Sequence, residues 1–289
     1  MLIALIKALR PKQWLKNGLL FAGVIFDRQL TNFPALFKSL AGFVVFSLIA
    51  STVYLINDLS DIEADRQHPR KRNRPIASGA LPTSVAKIAV VVLFLVAFPA
   101  AYFLSVKFFI VCVIYFALNL SYSTWLKHIP LIDVLALASF YVLRIAAGVN
   151  IIVVENFSPW LYLTSTFGAL YLGIGKRRAE LVAKEKSGQA TRKVLDSYTL
   201  PYLDQLITIV LTITILSYSL YTFSAPNLPE NHVMMLTIPF VIYGVFRYLY
   251  LVQVEGVGEA PEDIAISDRP LQITVVLWGL SILAIFYIT

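Results

Sequence analysis

Residues 57–79 read NDLSDIEADRQHPRKRNRPIASG: a block of acid, then a block of base, with long apolar runs on both sides. Asn57 opens the acidic block, followed by Asp58, Asp61, Glu63 and Asp65; the basic block holds Arg66, Arg70, Lys71, Arg72 and Arg74. A solvated turn is the plain reading of any charged loop. The spacing argues for more. Asn57, Asp61 and Asp65 stand at i, i+4 and i+8, and Asp58 is three residues before Asp61. If the preceding helix continues through them, all four lie on one face. Like charges at helical spacing repel, and no lysine stands between them to relieve that. Clustered oxygen donors suit a hard cation, and Mg2+ takes one or two carboxylates plus water and substrate phosphates. Asn57, Asp58, Asp61 and Asp65 are therefore the candidate Mg2+ ligands, with the three aspartates as the catalytic acids. Zinc is a poor match, because His68, His128 and His232 are scattered and Cys112 is the single cysteine.

The rest of the chain sets that block in a membrane. Of 289 residues, 58% are hydrophobic and 14% are charged, where a soluble domain carries about 25% charged residues. Mean hydropathy is +0.74. With one cysteine, no disulfide framework exists. No small-residue cleavage site follows the first apolar stretch, so the start is expected to be a membrane-protein N-terminus and not a removed signal peptide.

A spanning helix needs about 20 largely apolar residues. Nine such runs are expected, beginning near Trp14, Pro34, Ser84, Phe108, Pro130, Pro159, Leu203, Val233 and Pro270. The runs are too long and continuous for barrel strands, so the expected fold is all-α and polytopic. The basic block, Lys7, Arg10, Lys12 and Lys16 at the start, Lys127, and the run from Lys176 to Lys193, which includes Arg192, all fall on one side of nine spans. Cytoplasmic loops carry the excess of Lys and Arg. This places the N-terminus in the cytoplasm and Thr289 outside. The acidic connection VEGVGEAPEDIAISDR is cytoplasmic too, which the rule tolerates because acids contribute little. A cysteine placed at Gln189 is expected to react only with reagents on the cytoplasmic side; labelling from outside would overturn the span count and the active-site face together.

Cations beside the acidic block suit phosphate, since Lys and Arg neutralise it and Arg offers a forked donor array. Lys71, Arg72 and Arg74 are the candidates there. Lys12, Lys16 and Asn17 stand at the edge of the first run, beside Trp14, and fit either a phosphate or an interfacial anchor. Tyr122, Ser123 and Lys127 are similar edge residues. Asp133 and Arg144 lie within the fifth run, where an ionisable residue is a functional candidate by default. Asp133 is near the cytoplasmic end. Arg144 is about 16 Å deeper at 1.5 Å per residue, which suits an internal structural partner.

The 57–79 stretch resembles the first aspartate-rich motif, NDxxDxxxD, of the UbiA-type intramembrane prenyltransferase superfamily. The resemblance extends over the whole chain. It implies one domain, 1–289, of nine helices around a central cavity open to the cytoplasm, capped by connections at about 57–83 and 174–202. Ordinary members carry a second aspartate motif between helices six and seven. Here that place reads GKRRAELVAKEKSGQATRKVLDSY, with Glu180 among Lys176, Arg177, Arg178 and Lys184. That stretch, with LRPKQWLKNGLLFAGVIF, LNLSYSTWLKHIPLIDVLALA and VLRIAAG, is similar to the decaprenyl-phosphate phosphoribosyltransferase branch. The similarity implies 5-phosphoribose transfer from phosphoribosyl diphosphate (PRPP) to a polyprenyl phosphate, feeding arabinose donors of the cell envelope. It also makes Lys176, Arg177, Arg178 and Glu180 candidates for substrate binding.

The departure has a physical reason. Two unit charges about 4 Å apart interact by roughly 4 kcal/mol at an effective dielectric near 20. A site that must hold a diphosphate, a 5-phosphate and a lipid phosphate gains from exchanging one acidic cluster for cations. In the implied reaction Mg2+ on Asp58, Asp61 and Asp65 stabilises the departing diphosphate. The attacking phosphate oxygen is already anionic, so no general base is required, and C1 is expected to invert. Membrane lipids are the other implied partners; nucleic acid is not one, and a homo-oligomer is compatible with the pattern. Three rivals predict other sequences. A prenyltransferase acting on an aromatic acceptor predicts the second aspartate pair. A cation transporter predicts acids at the bilayer midplane and inverted repeats. A purely structural membrane protein has no use for four oxygen ligands on one helix face.

Overall fold

Proline and capping residues start the long helices. Asn32 accepts from the Ala35 N–H with Pro34 in the first turn, and Thr199 accepts from the Tyr202 N–H with Pro201 in the first turn. Asp268 accepts from the Leu271 N–H with Pro270 beside it. Each cap satisfies one of the donors a helix start leaves open, and proline costs little there. The structure, a computed structural model, describes all residues except 69–70, 153, 155–157, 188–192, 226–227, 257–263, 265–266 and 289, and the side chains of 186 and 187. Arg70, Gln189, Arg192, Thr289 and most of the acidic connection before Asp268 therefore lie outside the described residues.

Among the described residues the chain is helical, with no strand. The helices are α1 (Leu2–Ala8), α2 (Ala22–Phe26), α3 (Phe33–Ser60), α4 (Ile62–Gln67), α5 (Thr83–Leu104), α6 (Val106–Thr124), α7 (Ile132–Ile151), α8 (Pro159–Ser187), α9 (Leu200–Ser224), α10 (Ile238–Gln253) and α11 (Arg269–Tyr287). Among the described residues, seven helical segments are long and apolar enough to cross a membrane: α3, α5, α6, α7, α9, Val233–Gln253 and α11. The expected nine are not confirmed. The run near Trp14 is a 3-10 helix, Pro11–Phe21, followed by the short α2. The run at Pro159 is one helix of 29 residues whose second half carries Lys176, Arg177, Arg178, Glu180 and Lys184.

The chain forms two compact units. The first comprises Met1–Thr124 and Leu143–Glu155. Its core is α3, against which α5, α6 and the Pro11–Phe21 segment pack. A 3-10 helix has three residues per turn, so every third side chain aligns. Asn17, Leu20 and Gly23 are buried accordingly, and Trp14 donates its indole N–H to Ser51 Oγ at 3.0 Å. Gly148 on α7 makes room for this segment: a Cβ there would stand 1.8 Å from the Leu20 carbonyl oxygen. Small residues of this kind let backbones touch in membrane helix packing. Gly148→Leu is expected to abolish the monodisperse folded protein in mild detergent, read by size-exclusion chromatography; an unchanged elution profile would show that the contact is dispensable.

The second unit comprises Trp125–Val142 and Asn156–Thr289. The helices α8 and α9 form its most extensive pairing. Its core gathers Tyr171, Ile174 and Leu181 of α8, Leu203, Ile207, Val210 and Leu211 of α9, and Leu251 and Val252 of α10. Val194, Leu195 and Tyr198 from the connection before α9 are buried with them.

Candidate active site

At 1.5 Å per residue the 28 residues of α3 reach about 42 Å, beyond the roughly 30 Å of a hydrocarbon core. Its last turn therefore carries Asn57 and Asp58 to an edge. Hydrogen bonds from Asp61 N–H to the Asn57 carbonyl (3.0 Å) and from Asp65 N–H to the Asp61 carbonyl (2.8 Å) continue the helical pattern into α4. Asp61 itself leaves helical geometry, with φ −101° and ψ 13°. The four expected ligands consequently do not share one environment. Asp58 and Asp65, two turns apart, are each 2% exposed; Asp61 is exposed and Asn57 half-buried.

The two buried carboxylates converge on a single atom. Arg74 Nη1 donates to Asp58 Oδ1 at 3.0 Å and to Asp65 Oδ2 at 2.6 Å. Arg10 Nη2 donates to Asp58 Oδ1 at 2.5 Å, and its guanidinium lies 5.0 Å from the Tyr54 ring centroid. Asp58 Oδ2 is buried with no hydrogen-bond partner among the described residues. Arg74 is held there by an apolar anchor just after it. Ile76 and Leu81 are buried among Ala8, Leu55 and Ala86, and each such burial contributes about 1.5–3 kcal/mol. Gly79, at φ +80°, turns the chain back toward α5.

The other candidates of this unit divide. Lys12, Lys71 and Arg72 are exposed, and Lys16 and Tyr122 are half-buried. Ser123 donates to its own helix at the Asn119 carbonyl, 2.9 Å away. Arg66 donates to the Ala77 carbonyl at 3.2 Å, and His68 Nδ1 accepts from the Lys71 N–H at 3.3 Å, so both tie the loop together. Asn17 is 1% exposed and belongs to an internal network. It donates to Ser47 Oγ at 2.9 Å and accepts from Arg144 Nε at 2.8 Å, while Arg144 Nη2 donates to the Tyr115 hydroxyl at 3.0 Å. This is the internal partner expected of Arg144.

The second unit builds its own buried charge cluster. Arg177 and Asp133 are both fully buried and meet at 2.5 Å, Nε to Oδ2; Arg177 Nη1 also reaches Glu180 Oε2 at 2.5 Å. The Tyr198 hydroxyl donates to Asp133 Oδ1 at 2.6 Å and accepts from the Leu131 N–H at 2.7 Å. Leu131 sits in the left-handed region, φ 67°, and this bond secures it. Burial, reinforced by the Asp133 carboxylate, pushes the Tyr198 hydroxyl well above the usual tyrosine range, so it remains a neutral donor. Arg178 pairs with Asp204 at 2.6 Å, and Lys184 with Asp196. Lys176 and Lys127 are half-buried. Of the cationic run, Arg177, Arg178 and Lys184 are thus engaged with carboxylates of their own unit.

The model of the UbiA prenyltransferase family matches residues 19–258. The chain belongs to that family. It is 39% identical over 281 residues to the decaprenyl-phosphate phosphoribosyltransferase of Mycobacterium tuberculosis, covering 94% of this chain and 91% of that protein. It is 38% identical over 293 residues to the enzyme of the same name from Corynebacterium glutamicum, covering 98% and 87%. Its fold is that of a UbiA homologue from Archaeoglobus fulgidus solved with GPP and Mg2+, with TM-score 0.72, 20% identity, and coverage of 98% of this chain and 99% of that one.

For a UbiA family chain, the first acidic motif is the place to test for a divalent cation. No group of three or more His, Cys, Asp or Glu side chains converges among the described residues. The pair Asp58 and Asp65 nevertheless fits Mg2+. Both present an oxygen to one point in space, the one Arg74 Nη1 now fills, and Asp58 Oδ2 has no hydrogen-bond partner among the described residues. Two carboxylates with open positions for water and substrate phosphate match that ion's habit. Sequence reasoning missed Arg10 here, having counted it only toward orientation. It also missed Tyr198 and Asp204, the partners of Asp133 and Arg178, for which no local signal exists.

Proposed function

We propose that this protein transfers 5-phosphoribose from PRPP to a polyprenyl phosphate, releasing diphosphate, as an Mg2+-dependent integral membrane enzyme with its N-terminus in the cytoplasm. The observation that carries the reading is the near-full-length similarity to decaprenyl-phosphate phosphoribosyltransferases, joined to a buried pair of carboxylates that meet at one guanidinium nitrogen and a second motif that is cationic. The C1–O bond to diphosphate breaks, and a lipid phosphate oxygen takes its place with inversion at C1. When bound at Asp58 and Asp65, Mg2+ supplies Lewis-acid stabilisation of the departing diphosphate. Asn57, half-buried, and Asp61, exposed, adjoin the pair in sequence and carry further oxygen donors. Arg72 and Lys71, exposed beside Arg74, offer charge-assisted hydrogen bonds to phosphate oxygens. Polyprenyl phosphates used this way would supply arabinose donors for the cell envelope.

The deciding assay uses purified protein, Mg2+, labelled PRPP and a panel of polyprenyl phosphates. Label is expected in the lipid fraction, with equimolar diphosphate released. A protein that ignores PRPP and instead joins a prenyl diphosphate to an aromatic acceptor would overturn the branch assignment. Lys176 stands where prenyl-diphosphate enzymes carry acid. A lost charge-assisted bond of about 1.5–3 kcal/mol implies that Lys176→Ala raises the PRPP requirement tenfold or more. Unchanged PRPP dependence would leave Lys176 a topology residue only.

A further inference from the structure

The sequence reading makes the basic block a phosphate site and the acidic block a metal site, two neighbours with separate tasks. The geometry joins them. Arg74 Nη1 lies within hydrogen-bond distance of both candidate metal-ligand carboxylates, 3.0 Å from Asp58 Oδ1 and 2.6 Å from Asp65 Oδ2. Arg10 adds a second guanidinium on the same Asp58 oxygen at 2.5 Å. Two buried carboxylates at this separation repel strongly without a cation between them. Here the cation is supplied by the chain itself. We propose that Arg10 and Arg74 are exchangeable stand-ins for the metal: they hold Asp58 and Asp65 ready while the site is empty, yield them when the divalent cation arrives, and turn to the diphosphate that accompanies it.

Three features fit exchange and not a permanent brace. The carboxylates are 2% exposed, but both arginine side chains remain partly exposed, Arg10 at 28% and Arg74 at 27%. Their heads can leave the pocket without unfolding it. By contrast the Arg177 and Asp133 pair of the second unit is wholly buried, as a permanent brace should be. The second oxygen of Asp58 is unpartnered among the described residues, so the arginines do not saturate the site. Arg10 is also held in the left-handed region, at φ 53° and ψ 59°, immediately before Pro11. An L-residue is disfavoured there, more so before proline, and such positions persist where the surroundings enforce them. The contact to Asp58 is one such enforcement, and releasing it frees Arg10 to move. Exchange has a further consequence. Each guanidinium that leaves a carboxylate carries a fork of donors matched to phosphate oxygens, within a side chain's reach of the metal. Metal entry then creates the phosphate site, and metal and diphosphate bind as a cooperative pair.

This rests on the proposed metal-dependent reaction, and its test reads binding, not turnover. The full-length protein in detergent is titrated with Mn2+ alone, bound metal being measured by the loss of the free-ion electron paramagnetic resonance signal. Retention of radiolabelled inorganic diphosphate is measured separately at saturating Mn2+. If the arginine-closed form holds about nine-tenths of the wild-type population, its apparent metal affinity is reduced about tenfold. Arg74→Ala is expected to bind Mn2+ alone about tenfold tighter than wild type yet to retain far less diphosphate. Arg10→Ala should shift both in the same directions, and Arg74→Lys should stay near wild type for Mn2+. An arginine that merely braces the loop predicts the opposite sign, weaker Mn2+ binding in the alanine variants. That result, or unchanged Mn2+ affinity in both, overturns the exchange while leaving the metal site standing. Wild-type protein that binds no Mn2+ with or without diphosphate overturns the metal reading as well. Should Arg74→Ala fail to fold, Arg10→Ala and Arg74→Gln carry the same comparison.

Discussion

Asp58→Asn is expected to lower turnover by about a thousandfold or more, the equivalent of roughly 4 kcal/mol of transition-state stabilisation. Asparagine keeps the shape and one oxygen, so the helix end is undisturbed. It removes the charge that two guanidiniums now contact and that a metal would need. The orphaned Oδ2 becomes, or is exchanged with, an amide nitrogen, which cannot ligate a hard cation. Asp65→Asn should behave alike, since it supplies the other converging oxygen. Asp61→Asn is expected to lose less, because its side chain is exposed where Asp58 and Asp65 are buried. The measurement is radiolabel transfer to lipid by protein with a wild-type gel-filtration profile. Full activity in the Asp58 and Asp65 variants, or full activity with excess EDTA, would remove the metal from the mechanism.

Arg177→Ala has a different expected signature, loss of the folded protein itself. Asp133 and Arg177 are both fully buried, and removing one partner strands the other's charge in the interior. Such a break costs about 3–5 kcal/mol. Glu180 would also lose its 2.5 Å contact, and the Tyr198 hydroxyl alone would remain on Asp133. The expected outcome is a large fall in melting temperature and in monodisperse yield. Replacing the pair together, as Arg177→Met with Asp133→Leu, should recover much of that stability, since a buried ion pair is often matched by well-packed apolar residues. Wild-type stability in Arg177→Ala, with only a raised PRPP requirement, would assign the side chain to substrate instead.

The features legible in the sequence are the local ones. Apolar runs of about 20 residues announce membrane helices because the bilayer sets their length. The acids at 57–65 draw notice because of their helical spacing, and two of them, Asp58 and Asp65, do meet at one guanidinium nitrogen. What escaped depends on contacts between distant residues. Asp133 and Arg177 are 44 positions apart, and Arg10 and Asp58 are 48 apart. No spacing rule connects them, so Arg177 read as a substrate cation and Arg10 as a topology signal. Asp61 was expected with Asp58 and Asp65 on the strength of an unbroken helix, and the change of backbone angle at that residue is what separates it. Asn17 read as an edge residue because a single run shows its neighbours Lys12, Trp14 and Lys16, not Ser47 and Arg144. The segment around it also breaks the assumption of 3.6 residues per turn.

That segment has a bearing on how far a short run of residues can reach. A 3-10 helix rises about 2.0 Å per residue against 1.5 Å for the α form. Pro11–Phe21, with 11 residues, and Ala22–Phe26, with 5, therefore reach roughly 30 Å end to end. This equals the hydrocarbon thickness that an α-helix needs about 20 residues to match. The thinner, stretched helix also narrows the ridge it presents, so that Gly148 can meet the Leu20 backbone directly. Inserting three or four residues here in ordinary α-helical geometry would keep the reach near roughly 30 Å yet rotate Asn17 out of line with Ser47.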